Sequence, residues 1–154
     1  MQLKKLLRNH SFFFLYVLVV LFINVFFFRI VFVYGNSMEP TLHDNQLLVV
    51  RLINYKPTSS DIIITTKENP FHCNLIKRII ATEGDTVLLT ESTVYVNDIM
   101  LQEPYVSGIP SYTPLKLTVP AGHVFIMGDN RNFSKDSRDI GCIPITEIIG
   151  KIIQ

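Results

Sequence analysis

One apolar run near the N-terminus constrains this chain more than any other feature. Phe12 to Phe28 are apolar except for Asn24, and the run resumes after Arg29 with Ile30-Val31-Phe32-Val33. As a helix, residues 12 to 33 would extend about 33 Å, enough for the hydrocarbon core of a bilayer. Arg29 lies near one end, where a long side chain can reach the interface. Lys4, Lys5 and Arg8 precede the run, so a cytoplasmic N-terminus and an exported remainder are expected. A cleavable signal peptide shares the basic start, but its apolar core is shorter and ends at a small-x-small site. Here Tyr34-Gly35-Asn36-Ser37 follows instead, which favours an uncleaved anchor. A buried core helix would need a polar face or uniform packing partners, and the Phe-rich run has no polar face.

The run also divides the composition. Eight of the 11 Phe precede Tyr34, and all 13 Asp and Glu follow it. From Tyr34 onward ten Lys and Arg face those 13 acids, a balance of −3, although the whole chain of 154 residues carries +1. A near-neutral balance without a basic face speaks against nucleic acid as a partner. The expected organisation is a cytoplasmic segment 1–10, an anchor 11–33 and an extracytoplasmic domain 34–154.

After residue 34 the pattern changes to short runs rich in Ile, Val and Thr. They are Leu47–Ile53, Asp61–Thr66, Leu75–Thr82, Thr86–Thr90, Thr93–Val96 and Val124–Met127, each of strand length and bounded by turn formers. Asn97-Asp98 before Ile99-Met100-Leu101 marks a hairpin. No helical periodicity is sustained, so a mostly β domain with a closed or sandwiched sheet is expected. Gln102 to Gly122 holds Pro104, Pro110, Pro114 and Pro120 and reads as a surface excursion. Cys73 and Cys142 read as two separate, partly buried thiols, although export would permit a disulfide. The four His are scattered, and neither a metal nor a cofactor is expected.

Three segments carry chemistry. In Gly35-Asn36-Ser37-Met38-Glu39-Pro40-Thr41-Leu42, Gly35 and Pro40 bracket Ser37 in a turn; such a serine is usually only a turn former. A nucleophilic serine needs a base. His43 and His123 have no supporting motif, and the alternative is a lysine kept uncharged by desolvation. Lys77 meets that condition, within Leu75-Ile76-Lys77-Arg78-Ile79-Ile80. Alternation puts Lys77 and Arg78 on opposite faces, and Arg78, always charged, is expected to face water. A snorkelling strand lysine would have the same spacing. The third segment runs from Met127 through Gly128-Asp129-Asn130 to Ser134-Lys135-Asp136-Ser137-Arg138. It could be a solvated loop, but Asp136 and Arg138 can pair, Asp129 adds an acceptor, and Ser134 and Ser137 could orient an amine.

In this order the three segments resemble the motifs of type I signal peptidases, in particular the short single-anchor type of Gram-positive bacteria. The resemblance runs from the anchor to the final Ile-Gly-Lys. It implies a single transmembrane helix followed by an all-β catalytic domain at the cell membrane, removing signal peptides from exported preproteins after small-x-small sequences. It further implies that Ser37 is the nucleophile and Lys77 its base. Ser134 would hydrogen-bond the lysine, Asp136, Arg138 and Asp129 would brace the loop, and Met38 with Pro40 would contact the substrate. The partners implied are signal peptides and the lipid bilayer, and a monomer is the expected state. Departures are Gly35, where some relatives carry a hydroxyl for the oxyanion, Ala81 and Glu83 in place of Gly and Pro, and Ser59-Ser60-Asp61 in place of Arg-Gly-Asp. Two other readings remain: a non-catalytic membrane-tethered assembly factor for exported or pilin-like proteins, and a self-cleaving repressor-type protease. The second lacks support, because no DNA-reading helix is evident.

Overall fold

The computed structural model describes residues 2–52 and 55–153, with side chains described except at 2–11 and 23–25. Lys4, Lys5, Arg8 and Asn24, on which part of the anchor reading rests, therefore lie outside the described side chains, as does Ile53 of the first strand-like run. A helix, α1, covers Gln2–Phe27 and passes without a loop into strand β1, Phe28–Phe32. The described side chains of α1 from Phe12 to Phe22 are exposed except for half-buried Val17. Among the described residues, no helix is long and apolar enough to cross a membrane.

The apolar run is thus not one helix to Val33. Its last part pairs antiparallel with β2 (Leu47–Arg51), from Phe28 opposite Arg51 to Phe32 opposite Leu47. A short, continuously apolar segment fits a helix or a strand equally well by periodicity alone. The β2 ladder decides, because β1 pairs with it along all five of its residues. Val33 then turns into the core beside Met38, Leu42 and Leu48.

The remaining strands are β3 (Ile62–Thr65), β4 (Ile76–Thr82), β5 (Thr86–Leu89), β6 (Val94–Val96), β7 (Ile99–Met100), β8 (Leu115–Thr118), β9 (His123–Met127), β10 (Ile143–Pro144) and β11 (Ile148–Ile153). They form a seven-stranded sheet in the order β1-β2-β11-β3-β4-β9-β10 and a four-stranded sheet in the order β7-β6-β5-β8. The fold is mostly β, as the short Ile/Val/Thr runs imply. Asn97 and Asp98 both adopt positive φ, at 53° and 62°, as a tight hairpin between β6 and β7 requires. Besides β1, three strands are not evident in the sequence: β8, β10 and β11. Leu115–Thr118 lies inside the proline-rich excursion yet pairs with β5. Ile148–Ile153 closes the chain between β2 and β3, and a shift in register occurs between Ile148 and Gly150. Gly150 is required there, because a Cβ would approach the Arg51 carbonyl oxygen to 2.3 Å.

The hydrophobic core joins the two sheets through Ile80, Val87, Leu89, Val94, Phe125 and Met127. A second cluster, with Met38, Leu42, Val50, Ile62 and Ile64, backs the turn after β1. Between them a single carboxylate ties distant segments together. Asp129, fully buried, accepts Arg78 Nε at 2.8 Å and Nη2 at 2.6 Å and the Thr41 hydroxyl at 2.5 Å. Leaving Arg78 without its partner strands a charge that is only 8% exposed, and such losses cost about 3–5 kcal/mol. We expect Asp129→Ala to lower unfolding stability by that amount in urea denaturation. A change below about 1 kcal/mol, the scale of a surface pair, would mean that this carboxylate does not tie the segments.

Candidate active site

Three segments converge on one groove. The turn Gly35–Thr41 leaves β1 with Gly35 at φ +83°, a conformation that suits glycine and strains an L side chain. Asp44 holds this entry by accepting the Gly35 N–H at 2.7 Å. The turn closes through Leu42 N–H to the Met38 carbonyl, and Met38 is 1% exposed, so the residue after Ser37 anchors in the core. Ser37 is left at the surface of the groove, with its side chain directed at strand β4.

Lys77 of β4 answers it. Its Nζ lies 2.7 Å from Ser37 Oγ and 3.0 Å from the Ile76 carbonyl oxygen. The residue is 4% exposed. Loss of hydration penalises the ammonium form, and the Lys77 pKa is pushed down from 10.5 to about 8; the nearby Asp136 carboxylate opposes this shift and Arg138 assists it. A neutral amine accepts a proton from a hydroxyl at this separation, whereas an ammonium can only donate. The arrangement can therefore activate the serine.

The loop after β9 forms the third side. Gly128 approaches so closely that a Cβ would meet the Ser37 carbonyl oxygen at 2.4 Å and Ser134 Oγ at 2.3 Å. Asp136, fully buried, accepts from Gly128 N–H, from the Ser134 hydroxyl at 2.8 Å, and from Arg138 Nε and Nη2. It also caps the one-turn helix α2 (Ser137–Ile140). The Asp136–Arg138 pairing that the sequence allows is present at 2.8 Å. Ser134, in contrast, gives its hydroxyl to Asp136, and among the described residues the hydrogen-bond partners of Lys77 are Ser37 and Ile76.

Arg78 does not face water as alternation alone suggests. It leaves β4 toward Asp129, donates Nη1 to the Ser60 carbonyl at 2.9 Å, and lies 3.9 Å above the Tyr105 ring. The excursion supplies that cover and is itself held by Arg131, which is 2% exposed and bonded to Glu103 and to the Tyr112 hydroxyl. None of Thr41, Glu103, Tyr105 or Tyr112 carries a sequence signal for this duty; Thr41 alone shares a motif with Ser37.

The groove encloses about 410 Å³ and is lined by Ser37, Met38 and Lys77 together with Val33, Ile64 and Ile76. Met38 lines it as the motif implies, but Pro40 is exposed and does not. Cys73 also lines the groove, and it is an exposed free thiol where a partly buried one is expected. Cys142 is free and half-buried.

Comparison with known proteins agrees with this architecture. The chain is 37% identical over 125 residues to a probable signal peptidase I-2 of Synechocystis sp., covering 76% of this chain and 57% of that protein. It is 38% identical over 132 residues to thylakoidal processing peptidase 1 of Arabidopsis thaliana, covering 77% of this chain and 39% of the relative. Signal peptidase IB of Staphylococcus aureus is 32% identical over 143 residues, 77% of this chain and 72% of the relative. The chain thus spans little more than half of the first relative and less of the second. A crystal structure of a signal peptidase I from Enterococcus faecalis V583 superposes with a TM-score of 0.54 at 31% identity, covering 65% of this chain and 98% of that one. Residues 6–154 match the family described as signal peptidase, peptidase S26, and with that match the chain belongs to the peptidase S26 signal peptidase family.

Proposed function

We propose that this chain is a membrane-anchored serine endopeptidase that removes N-terminal signal peptides from exported preproteins after small-x-small sequences. Ser37 is the nucleophile and Lys77 the general base. The observation that carries this reading is the 2.7 Å contact between Ser37 Oγ and an almost fully buried amine. A snorkelling strand lysine would extend its ammonium into water instead.

The substrate lies extended in the groove, with its small side chains at positions −1 and −3 directed toward Met38. Ser37 Oγ attacks the scissile carbonyl carbon as its proton passes to neutral Lys77 Nζ. The Ser37 backbone N–H, which has no hydrogen-bond partner among the described residues, donates to the resulting oxyanion. Collapse of the adduct breaks the C–N bond, and the Lys77 ammonium protonates the departing amine. Water then attacks the ester with Lys77 again taking a proton, which releases the signal peptide as a carboxylate and restores Ser37.

The apolar run from Phe12, with Lys4, Lys5 and Arg8 before it, supports a single-pass anchor with a cytoplasmic N-terminus and an extracytoplasmic catalytic domain. A signal peptide is itself an apolar segment, so its cleavage site emerges close to the bilayer. Ser37 follows Phe32, the last residue of β1, by five positions, which suits a substrate held in the same plane. Confining both partners to that plane raises their effective concentration without further contacts. The enzyme acts as a monomer.

Cleavage of a membrane-inserted preprotein tests the dyad. Ser37→Ala and Lys77→Ala are each expected to lower kcat/KM by at least about 10³-fold, and wild-type rates in either variant would overturn the assignment.

The pH dependence follows from the lysine. Below about pH 8 Lys77 is charged and cannot accept the serine proton. The rate should therefore climb through about pH 8 and level off above it, and a profile flat from about pH 5 to 10 would contradict Lys77 as base.

Stability carries the opposite mark of the same burial. The folded protein lowers the Lys77 pKa from 10.5 to about 8, so holding the ammonium in the core costs stability below pH 8. That cost fades between the two values and is absent above 10.5. Lys77→Met should consequently raise stability at pH 7 by about 1–3 kcal/mol, with the gain shrinking as pH rises toward 10.5. A variant less stable than wild type at pH 7 would argue against a strained, buried cation.

A further inference from the structure

We infer that Asn130 is a positioning residue that orients the Ser37 backbone N–H, the donor of the oxyanion site. This rests on the function proposed above and adds a residue to it. Asn130 precedes the short 3-10 turn Arg131–Phe133, at the position where an asparagine side chain ordinarily accepts a hydrogen bond from the turn itself. Here it makes no such bond. It reaches across the molecule instead, and its Nδ2 donates to the Asn36 carbonyl at 3.0 Å, a residue 94 positions earlier. The Asn130 backbone N–H donates to the next carbonyl, that of Ser37, at 3.1 Å.

Asn130 therefore holds both peptide units flanking Ser37 through their oxygens, and it shares the Asn36 carbonyl with the Glu39 N–H at 3.2 Å. A trans peptide is planar, with C=O and N–H pointing in opposite directions. Fixing the Asn36 carbonyl fixes the Ser37 N–H, and fixing the Ser37 carbonyl fixes the Met38 N–H. Neither N–H has a hydrogen-bond partner among the described residues, and the one on half-buried Ser37 is open to an incoming oxygen, whereas Met38 is buried. Among the described residues the turn itself holds only the first of these oxygens, through the Glu39 N–H. Without the Asn130 side chain the Asn36 carbonyl keeps, among the described residues, only the longer bond from the Glu39 N–H at 3.2 Å to define the plane of the Asn36–Ser37 peptide. Oxyanion stabilisation depends on donors already in place when the charge forms.

Asn130 does not touch Lys77, so its loss should alter the height of the rate profile and not its midpoint. Asn130→Ala is expected to lower kcat about 10–100-fold on a membrane-inserted preprotein, with KM changed less than about threefold. The rise near pH 8 should remain where it is in the wild type. Asn130→Asp keeps the shape but loses the donor, and it should behave like the alanine variant if it folds as the wild type does by thermal melting. A peptide aldehyde, whose adduct with Ser37 carries an oxyanion, should lose affinity for both variants in parallel with kcat. The corresponding peptide amide should bind as it does to the wild type. Unchanged kcat in both variants, or equal loss of amide and aldehyde binding, would overturn the inference. Inactivity of the wild type on every preprotein would instead overturn the proposed function, so the two failures are distinguishable.

Discussion

A lysine amine stays available as a base near neutral pH only where water is kept from it, and most of this structure serves that condition. Lys77 lies on β4, in the interior of the seven-stranded sheet between β3 and β9, and not on an edge where a long side chain could escape to solvent. The turn after β1 covers it from one side because Met38 and Leu42 are sunk in the core. The loop after β9 covers it from another. Each covering segment is irregular backbone, which ordinarily lies on the surface because its polar groups need partners. Here the partners are built in.

Those partners are mostly charged, and their arrangement matters to the lysine. A buried carboxylate near Lys77 favours the ammonium, as Asp136 does. Its pairing with Arg138 supplies a cation whose effect on the lysine is opposite. The loop thereby gains the rigidity of a bidentate acid–base pair while the two charges offset one another at Nζ. Asp129 with Arg78 and Glu103 with Arg131 repeat the device farther out. Pairs of this kind add little net stability over apolar packing, but breaking one is costly. Their value here is definition: Asp129 joins the serine turn at Thr41 to the lysine strand at Arg78, and so limits how far the two can drift apart.

Much of this was legible in the sequence because it depends on local chemistry. Ile, Val and Thr runs separated by turn formers produce strands wherever they can pair, and the Asn97-Asp98 turn accepts positive φ that few residues tolerate. Ser37 and Lys77 stood out by residue type in unusual settings. What failed were inferences about surroundings. Alternation correctly sent Arg78 away from Lys77 but could not reveal that Asp129, 51 positions later, would be waiting in place of water. Ser134 looked suited to the lysine, yet the carboxylate two residues on holds its hydroxyl. The prolines of the excursion masked Leu115–Thr118, whose pairing with β5 outweighs the local turn tendency.

By itself the sequence determined an apolar, basic-flanked N-terminus, a mostly β domain, and the three short motifs that carry a serine, a lysine and a brace of acids and arginines. Each is a property of neighbouring residues, and neighbours along a chain are neighbours in any fold. Tertiary structure alone decided where the apolar run stops being helix and joins β2, that Arg78 is buried and Pro40 is not, and that Asn130 reaches back to Asn36. These depend on partners 15 to 94 residues away in sequence, whose approach is set by sheet order and close packing of the core. The 2.7 Å between Ser37 and Lys77 belongs to the second group: the residue types announce the chemistry, and only the folded sheet brings the two atoms within reach.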